Sequence, residues 1–161
     1  MRRKLDHIDL KILRELQADG RITNQALSEK VGLSARPCLE RVRKLEKDGY
    51  IVRYQALLDV RRLQSCVQVL AQISLERQGR ESRQLFERTL RDTPEVIECF
   101  EVSGEHDYIA KLVCRDIAAY QELTQGWIDD PQLGVSRVTS NIVLRPVRDF
   151  GSVPIFEEEL A

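Results

Sequence analysis

The sequence of 161 residues has no long apolar run. A helix that crosses a bilayer needs about 18 or more consecutive apolar residues, and no such stretch occurs here. Residues 1–6 are basic, but a charged amphipathic segment follows where a signal peptide would have an apolar stretch and a small-residue cleavage site. The sequence therefore predicts no membrane contact and a cytoplasmic location.

Cysteine and histidine are scarce and poorly placed for chemistry. The four cysteines lie far apart without a Cys-x-x-Cys pair, and the only histidines are His7 and His106. Dispersed thiols are typical of a reduced, cytoplasmic protein. No nucleophile–base spacing and no glycine-rich phosphate loop occurs in the sequence. We therefore expect no catalytic residues, no metal ligands and no cofactor.

The sequence does have charge of opposite sign in its two parts. Residues 1–62 contain 15 lysines and arginines against 9 aspartates and glutamates, and residues 63–161 contain 10 against 17. The resulting charges of +6 and −7 nearly cancel, leaving −1 for the chain. This asymmetry suggests a module that binds a polyanion, joined to a module with another task. A chance split of surface charge is the alternative.

The basic part shows the pattern of three short helices. Apolar residues recur at helical spacing over residues 6–19, 23–32 and 34–48. Asp6 and Ser34 are candidate N-caps, because their side chains can accept hydrogen bonds from the free N–H groups of a first turn. Two helices joined by a short glycine-bearing turn form a helix-turn-helix, and its second helix is expected in the major groove of DNA.

The third helix predicts this function most strongly. Its core face carries Cys38, Leu39, Val42 and Leu45. Its other face and flanks are mostly basic and carry Arg36, Glu40, Arg41, Arg43, Lys44 and Lys47. Basic side chains neutralise phosphates, and an arginine can also bond a guanine edge. Glu40 could accept from a cytosine amino group or hold a neighbouring cation in position. A basic solvated face in an unrelated three-helix domain is the alternative.

A boundary between two domains follows the helices. Residues 50–56 are rich in aromatic and β-branched side chains and predict a strand, either a wing beside the DNA or the start of a tether. We place a DNA-binding domain at residues 1–56, a linker at 57–65 and a second domain at 66–148.

The second domain alternates strands and helices. The pattern predicts a strand, a helix, two strands, a helix and a final strand, over residues 66–75, 81–92, 96–102, 108–114, 116–127 and 135–144. This order is that of a ferredoxin-like α+β fold. The expected fold class is thus α+β, a three-helix winged helix-turn-helix followed by a ferredoxin-like βαββαβ domain. Both helices cover one sheet face, and a homodimer that stacks two sheets would cover the other.

Several motifs resemble one known family. They are Gly20-Arg21-Ile22, Leu27-Ser28, Val31-Gly32-Leu33-Ser34, the run from Pro37 to Glu46, Gly49-Tyr50-Ile51, and the run from Val102 to Tyr108. Over residues 5–148 the chain resembles the leucine-responsive/asparagine-responsive (Lrp/AsnC) regulators. The resemblance implies a transcription regulator whose second domain oligomerises and senses a ligand. That ligand is typically an amino acid bound between subunits, and the assemblies are dimers, often octamers.

By position, the family's helix-turn-helix corresponds to about residues 24–43. The candidate DNA contacts are Asn24, Ser34, Arg36, Pro37, Glu40, Arg41, Arg43 and Lys44. Many relatives have Ser or Thr before the proline, where this chain has Arg36. The extra charge bears on base preference, so a target site does not transfer directly from relatives.

The later motif matches the family's Gly-x-x-Asp-aromatic loop. The candidate effector-binding residues are Ser103, Gly104, Glu105, His106, Asp107, Tyr108, Thr139 and Ser140. A zwitterionic amino acid needs an acceptor for its ammonium group, which Asp107 could supply. It also needs donors for its carboxylate, which backbone N–H groups near Gly104 and a hydroxyl could supply. A plain hairpin turn is the alternative.

The predicted function is a sequence-specific, DNA-binding transcription regulator. The expected partners are double-stranded DNA, a small-molecule effector, which the resemblance implies is an amino acid, and copies of the chain in a dimer that assembles to an octamer. A metal- or thiol-responsive regulator using Cys66, Cys99 and Cys114 is the alternative function. The tail at residues 149–161 is expected to be solvated or frayed.

Overall fold

The chain folds into two compact units. The computed structural model describes residues 4–76, 79–148 and 151–155. The first unit contains the residues up to 57 and those from 148 onward, and the second unit contains residues 58–147.

Three helices form the first unit, with α1 at His7–Ala18, α2 at Asn24–Val31 and α3 at Ala35–Lys47. The Asp6 side chain accepts from the Asp9 backbone N–H at 2.8 Å, and the Asp9 side chain accepts from the Asp6 backbone N–H at 3.4 Å. This reciprocal pair is a capping box, which satisfies two N–H groups at the start of α1. The three predicted helices are confirmed.

The turn between α2 and α3 depends on a left-handed glycine. Gly32 ends α2 with φ of 76°, a conformation that favours glycine because it has no Cβ. The helices enclose one apolar cluster, made of Leu5, Leu10, Ile12, Leu27, Val31, Cys38, Val42 and Leu45. The Ser34 side chain makes no capping hydrogen bond, although Ser34 is the N-cap residue of α3 as predicted.

The prediction of a strand over residues 50–56 is wrong. In the described part of the first unit these residues pair with no strand. Tyr54 instead donates a hydrogen bond to Glu46 of α3 at 3.0 Å, and Val52 is 87% exposed. β propensity needs a pairing partner to become a strand, and the described residues of this chain supply none beside this segment. The predicted linker contains a short helix, α4, at Val60–Leu63.

The second unit has the predicted ferredoxin-like order. Its elements are β1 at Val67–Leu75, α5 at Arg80–Asp92, β2 at Val96–Glu101, β3 at Tyr108–Cys114, α6 at Ile117–Asp129 and β4 at Val135–Ile142. The strands lie in the order β2-β3-β1-β4, and every neighbouring pair is antiparallel. The α+β fold class is confirmed.

The two faces of this sheet differ. Val69, Ala71 and Ile73 of β1 are fully buried on the face that the helices cover. Alternate residues point to the other face, where Leu70 is 39% exposed and Phe100 of β2 is 59% exposed. A single chain therefore leaves apolar side chains on the open face.

The described part of the tail, predicted to be solvated or frayed, is mostly exposed and also contacts the first unit. Within residues 151–155, Val153 is hydrogen bonded through its backbone to Gln17 of α1, and Ile155 is half-buried against the apolar cluster of the first unit. A short peptide can dock when a side-chain amide replaces the partners that water would offer. The rest of the predicted tail lies outside the described residues.

Candidate nucleic-acid interface and effector loop

Helix α3 separates a buried face from a basic, exposed face. Cys38, Val42 and Leu45 are buried, whereas Leu39, predicted in the core, is 37% exposed at the edge of that face. The residues that stand exposed on the other side are Arg36, Pro37, Glu40, Arg43, Lys44 and Lys47. This cationic surface is the part of the unit best suited to meet phosphates.

Arg36 and Glu40 form a pair along this surface. The Arg36 Nε donates to Glu40 Oε1 at 3.3 Å, and the two side chains are 90% and 65% exposed. An exposed pair four residues apart on a helix contributes only about 0.3–0.5 kcal/mol. The contact therefore orients Arg36 without fixing it, which is one of the two roles predicted for Glu40.

Arg41 lies on a flank of α3, as predicted, and pairs there with two carboxylates of the first unit. Its Nη1 is 2.6 Å from Asp6 Oδ2 and 2.8 Å from Asp9 Oδ1, and the Asp9 side chain is fully buried. A buried carboxylate is costly unless a cation and hydrogen bonds compensate it. The structure therefore assigns Arg41 to the contact between α3 and α1, and we withdraw it from the DNA contacts.

This contact shifts the pKa values of Asp6 and Arg41. Partial burial acts to raise the pKa of Asp6. The hydrogen bond from the Asp9 backbone and the Arg41 guanidinium outweigh it and hold that pKa below its ordinary value. Hydrogen bonds to Asp6 and Asp9 raise the pKa of Arg41 above its ordinary value. Both shifts favour the charged forms, so the contact is an ion pair near neutral pH.

Asn24 and Ser34, two other predicted DNA contacts, lie at the starts of α2 and α3. Asn24 is half-buried, and its Nδ2 donates to the Ala35 carbonyl oxygen at 2.8 Å, which ties the start of α2 to the start of α3. Its Oδ1 is buried without a hydrogen-bond partner among the described residues. Ser34 is exposed at the N-cap of α3, where a hydroxyl is free to meet a phosphate.

The effector loop closes a hairpin between β2 and β3. Gly104 has φ of 126°, a conformation that side-chain-bearing residues rarely adopt. The Val102 N–H donates to the Asp107 carbonyl oxygen, and the Asp107 N–H donates to the Ile73 carbonyl oxygen, both at 2.9 Å. The loop is thus bonded both across its base and to the neighbouring strand β1.

The Asp107 carboxylate interacts with other residues of the second unit. Its Oδ2 accepts from the Leu75 backbone N–H at 2.8 Å, and its Oδ1 lies 3.8 Å from Arg83 Nη2. Arg83 of α5 also pairs with Glu101 at 2.6 Å. One carboxylate oxygen therefore anchors the loop, and the other faces a cation that the sequence did not single out.

Other loop residues contact β1 and β4. His106 Nδ1 is 3.1 Å from the Ser74 hydroxyl, and Glu105 accepts from Arg137 at 3.0 Å. Arg83, Ser74 and Arg137 were not predicted, because no local pattern marks them. Their roles follow from strand pairing and from the position of α5, which bring residues far apart in the sequence to one loop.

The structure places three other predicted effector residues apart from this loop. Tyr108 is 2% exposed, and its hydroxyl donates to Glu87 at 3.0 Å. Burial and the neighbouring Glu87 carboxylate raise the pKa of Tyr108 above its ordinary value. Ser140 bonds the Tyr120 hydroxyl at 2.5 Å on the helix-covered side, whereas Thr139 points to the opposite face because successive strand residues alternate.

A small cavity adjoins the loop. Its volume is about 70 Å³, and Glu76, Ser82, Arg83 and Asp107 are among its lining residues. A cation, two carboxylates and a hydroxyl thus border one space, and these groups can bind the charged ends of a zwitterion.

The cysteines give no support to a metal- or thiol-responsive site. Among the described residues, no three side chains of the metal-binding types gather within reach of one ion. Burial raises the pKa of the Cys99 and Cys114 thiols above their ordinary value. A raised pKa disfavours the thiolate, which is the reactive and metal-binding form.

The fold and the basic helix define a class of protein, a DNA-binding transcription regulator with an attached ligand-binding domain. Family models agree, with "winged helix-turn-helix DNA-binding" matching residues 5–52 and "Lrp/AsnC ligand binding domain" matching residues 68–153. The chain belongs to the Lrp/AsnC family.

Individual relatives are regulators too. The chain is 43% identical over 145 residues to the Bkd operon transcriptional regulator of Pseudomonas aeruginosa, which covers 89% of this chain and 94% of the relative. It is 45% identical over 119 residues to the leucine-responsive regulatory protein of Escherichia coli, covering 74% and 73%. These proteins regulate transcription, and the chain is a regulator and not an enzyme.

Solved structures share the fold over nearly the whole chain. An AsnC family regulator from Agrobacterium tumefaciens has a TM-score of 0.84 at 34% identity, covering 93% of this chain and 97% of that one. A regulator from Neisseria meningitidis in complex with L-Met has a TM-score of 0.82 at 35% identity, covering 93% and 96%.

None of the helices described here is long and apolar enough to span a bilayer.

If Arg41 stabilises the fold, Arg41→Ala should lower the free energy of unfolding by about 1–3 kcal/mol near neutral pH. The value lies below the range for a fully buried pair because Arg41 is partly exposed. Asp6 has a lowered pKa in the folded state, so its stabilisation is present above about pH 4 and is lost as the pH falls through the folded pKa. Urea unfolding at several pH values should show this loss in the wild type and less of it in the variant.

Salt dependence of DNA binding provides the check on Arg41. Each phosphate contact contributes about 0.9 to the slope of log affinity against log salt. The slope should be the same for Arg41→Ala and the wild type at a temperature where both are folded. A slope reduced by about one, with unchanged stability, would return Arg41 to the DNA contacts.

Proposed function

We propose that this regulator reads DNA with α3 in the major groove, in the cytoplasm. The contacts are made by Ser34, Arg36, Pro37, Glu40, Arg43 and Lys44. The observation that carries this proposal is the division of α3, whose basic side chains are exposed while the opposite side is buried. A recognition helix needs this arrangement, because its inner face holds the unit together while its outer face enters the groove.

Arg43→Ala tests the proposal. It should weaken binding to a DNA fragment selected by the wild type by about 1–3 kcal/mol if Arg43 bonds a base, and the loss should depend on sequence. Arg88→Ala is the matched control, because Arg88 is an exposed arginine on α5 of the second unit. Equal affinities of both variants in gel-shift titrations would remove Arg43 from the interface.

We further propose that the loop at residues 103–107 and the adjoining cavity bind the charged ends of an amino acid. Arg83 would take the carboxylate, and Asp107 Oδ1, now 3.8 Å from Arg83, would take the ammonium group. The L-Met complex of the Neisseria meningitidis relative supports this ligand class. The cavity of about 70 Å³ is smaller than most amino acids, so the ligand's side chain would extend toward a second copy of the chain. This agrees with the between-subunit site that the resemblance implies.

Asp107→Asn separates the ligand role from the structural role. Asparagine keeps an acceptor for the Leu75 N–H but removes the charge that an ammonium group needs. In a thermal-shift screen of the twenty amino acids, any stabilisation of the wild type should be lost in Asp107→Asn and in Arg83→Ala. Both variants should keep wild-type DNA affinity, as should Arg88→Ala, which should also keep the shift. A ligand that stabilises all four proteins equally would place the site elsewhere.

We also propose that two copies stack through their open sheet faces, and that such dimers assemble further, up to an octamer as the resemblance implies. Exposed Leu70 and Phe100 support the first step, because burying apolar area drives association. Exposed apolar side chains on the face without helices are typical of a sheet whose second face packs against another layer.

Phe100→Glu should dissociate the dimer. A carboxylate in a stacked apolar interface would lose its hydration without gaining a partner. Sedimentation should show a smaller species for this variant, and an unchanged one for Ile117→Glu. Ile117 is also exposed, but it lies on α6 and not on the open face. An unchanged mass for Phe100→Glu would show that the dimer uses another surface.

A further inference from the structure

The end of the chain is bonded to the first helix of the DNA-binding unit. The Val153 N–H donates to Gln17 Oε1 at 2.8 Å, and Gln17 Nε2 donates to the Val153 carbonyl oxygen at 3.3 Å. One side-chain amide thus satisfies both backbone groups of one residue, 136 positions away in the sequence. Such a reciprocal pair fixes a peptide in register, as a neighbouring strand would.

Apolar packing accompanies this pair. Ile155 is half-buried against the apolar cluster of the first unit, and this cluster also contains the buried face of α3 through Cys38, Val42 and Leu45. The docked segment therefore packs against the same core that holds the DNA-reading helix.

An open cavity adjoins the contact between α1 and the segment. A cavity of about 450 Å³ is bordered by Arg14 and Gln17 of α1 and by residues 152–155. Val153 is 64% exposed, so its side chain adds little. The backbone of Val153 and the side chain of Ile155 are the parts that bind.

We propose that α1 carries a docking surface for the C-terminal segment of the same chain, residues 152–155, and that docking favours DNA binding by stabilising the apolar cluster that holds α3. The second unit is then joined to the DNA-binding unit at both of its ends, by the chain before β1 and by the chain after β4. The inference rests on the proposed function only in taking α3 as the DNA-reading helix.

Thermodynamic linkage makes the proposal quantitative. If docking favours DNA binding by some factor, DNA must favour docking by the same factor. The Val153 amide reports docking, because its N–H is bonded only when the segment is seated against Gln17. Hydrogen exchange at this amide should be slow in the free protein and slower when DNA is bound.

Two variants should release the segment by different routes. Gln17→Ala removes both hydrogen bonds, and Val153→Pro removes the N–H donor while leaving Gln17 intact. Val153→Pro should lower DNA affinity roughly three- to tenfold, as expected for one net hydrogen bond, and Gln17→Ala by at least as much. Gln17→Ala should also speed exchange at Val153 by a similar factor.

Matched controls separate docking from unrelated effects. Val153→Ala keeps the backbone N–H and alters only an exposed side chain, so it should leave DNA affinity unchanged. Gln125→Ala removes an exposed helical glutamine that bonds Asp129 in the second unit, and should also have no effect. Both should retain the slow exchange of residue 153.

The outcomes are distinct. A wild type that shows no salt-sensitive DNA binding would refute the proposed function itself. DNA binding with equal affinity for Val153→Pro and Val153→Ala would overturn the docking inference alone. An unprotected Val153 amide in the free protein would also overturn it. Protection that disappears on dilution would show docking on another copy, which contradicts a surface for the same chain.

Discussion

The first unit depends on a buried carboxylate and an arginine that pairs with it. Asp9 is fully buried at the start of α1, and Arg41 of α3 reaches it at 2.8 Å. A helix turns about 100° per residue, so fixing Arg41 against α1 places Arg36 and Arg43 some 140–160° away around α3. The ion pair thereby determines which face of α3 is turned outward, although Arg41 itself contributes no charge to that face.

This role also shows where sequence reasoning stops. The N-cap residues Asp6 and Ser34 and the glycine at position 32 are local signals, so the three helices could be placed from sequence. A helical wheel puts Arg41 on a flank but cannot show that carboxylates of another helix lie beside it. The strand expected over residues 50–56 failed for a related reason, because propensity is local whereas strand pairing requires a partner.

The effector loop, too, could be predicted only in part from the sequence. The motif located the hairpin, and the glycine that its turn requires, from sequence alone. Its partners Arg83 and Arg137 lie on α5 and β4, so only the folded chain brings them to the loop. Tyr108 is different, because the sequence itself indicated that this residue is buried and so is not an effector contact. It alternates with Ala110 and Leu112 on one face of β3, and period two in an apolar strand indicates burial.

The charge asymmetry acquires a physical meaning once the two units are known. A charge of +6 lies in residues 1–62, which include α3, and −7 lies in the remainder, of which −3 belongs to residues 148–161 of the first unit. A DNA duplex attracts the first set and repels the second, so the ligand-binding unit is kept from contributing nonspecific phosphate contacts. Phosphate contacts by the basic unit then dominate the salt dependence of DNA binding, and a ligand bound in the acidic unit would not compete for those phosphates.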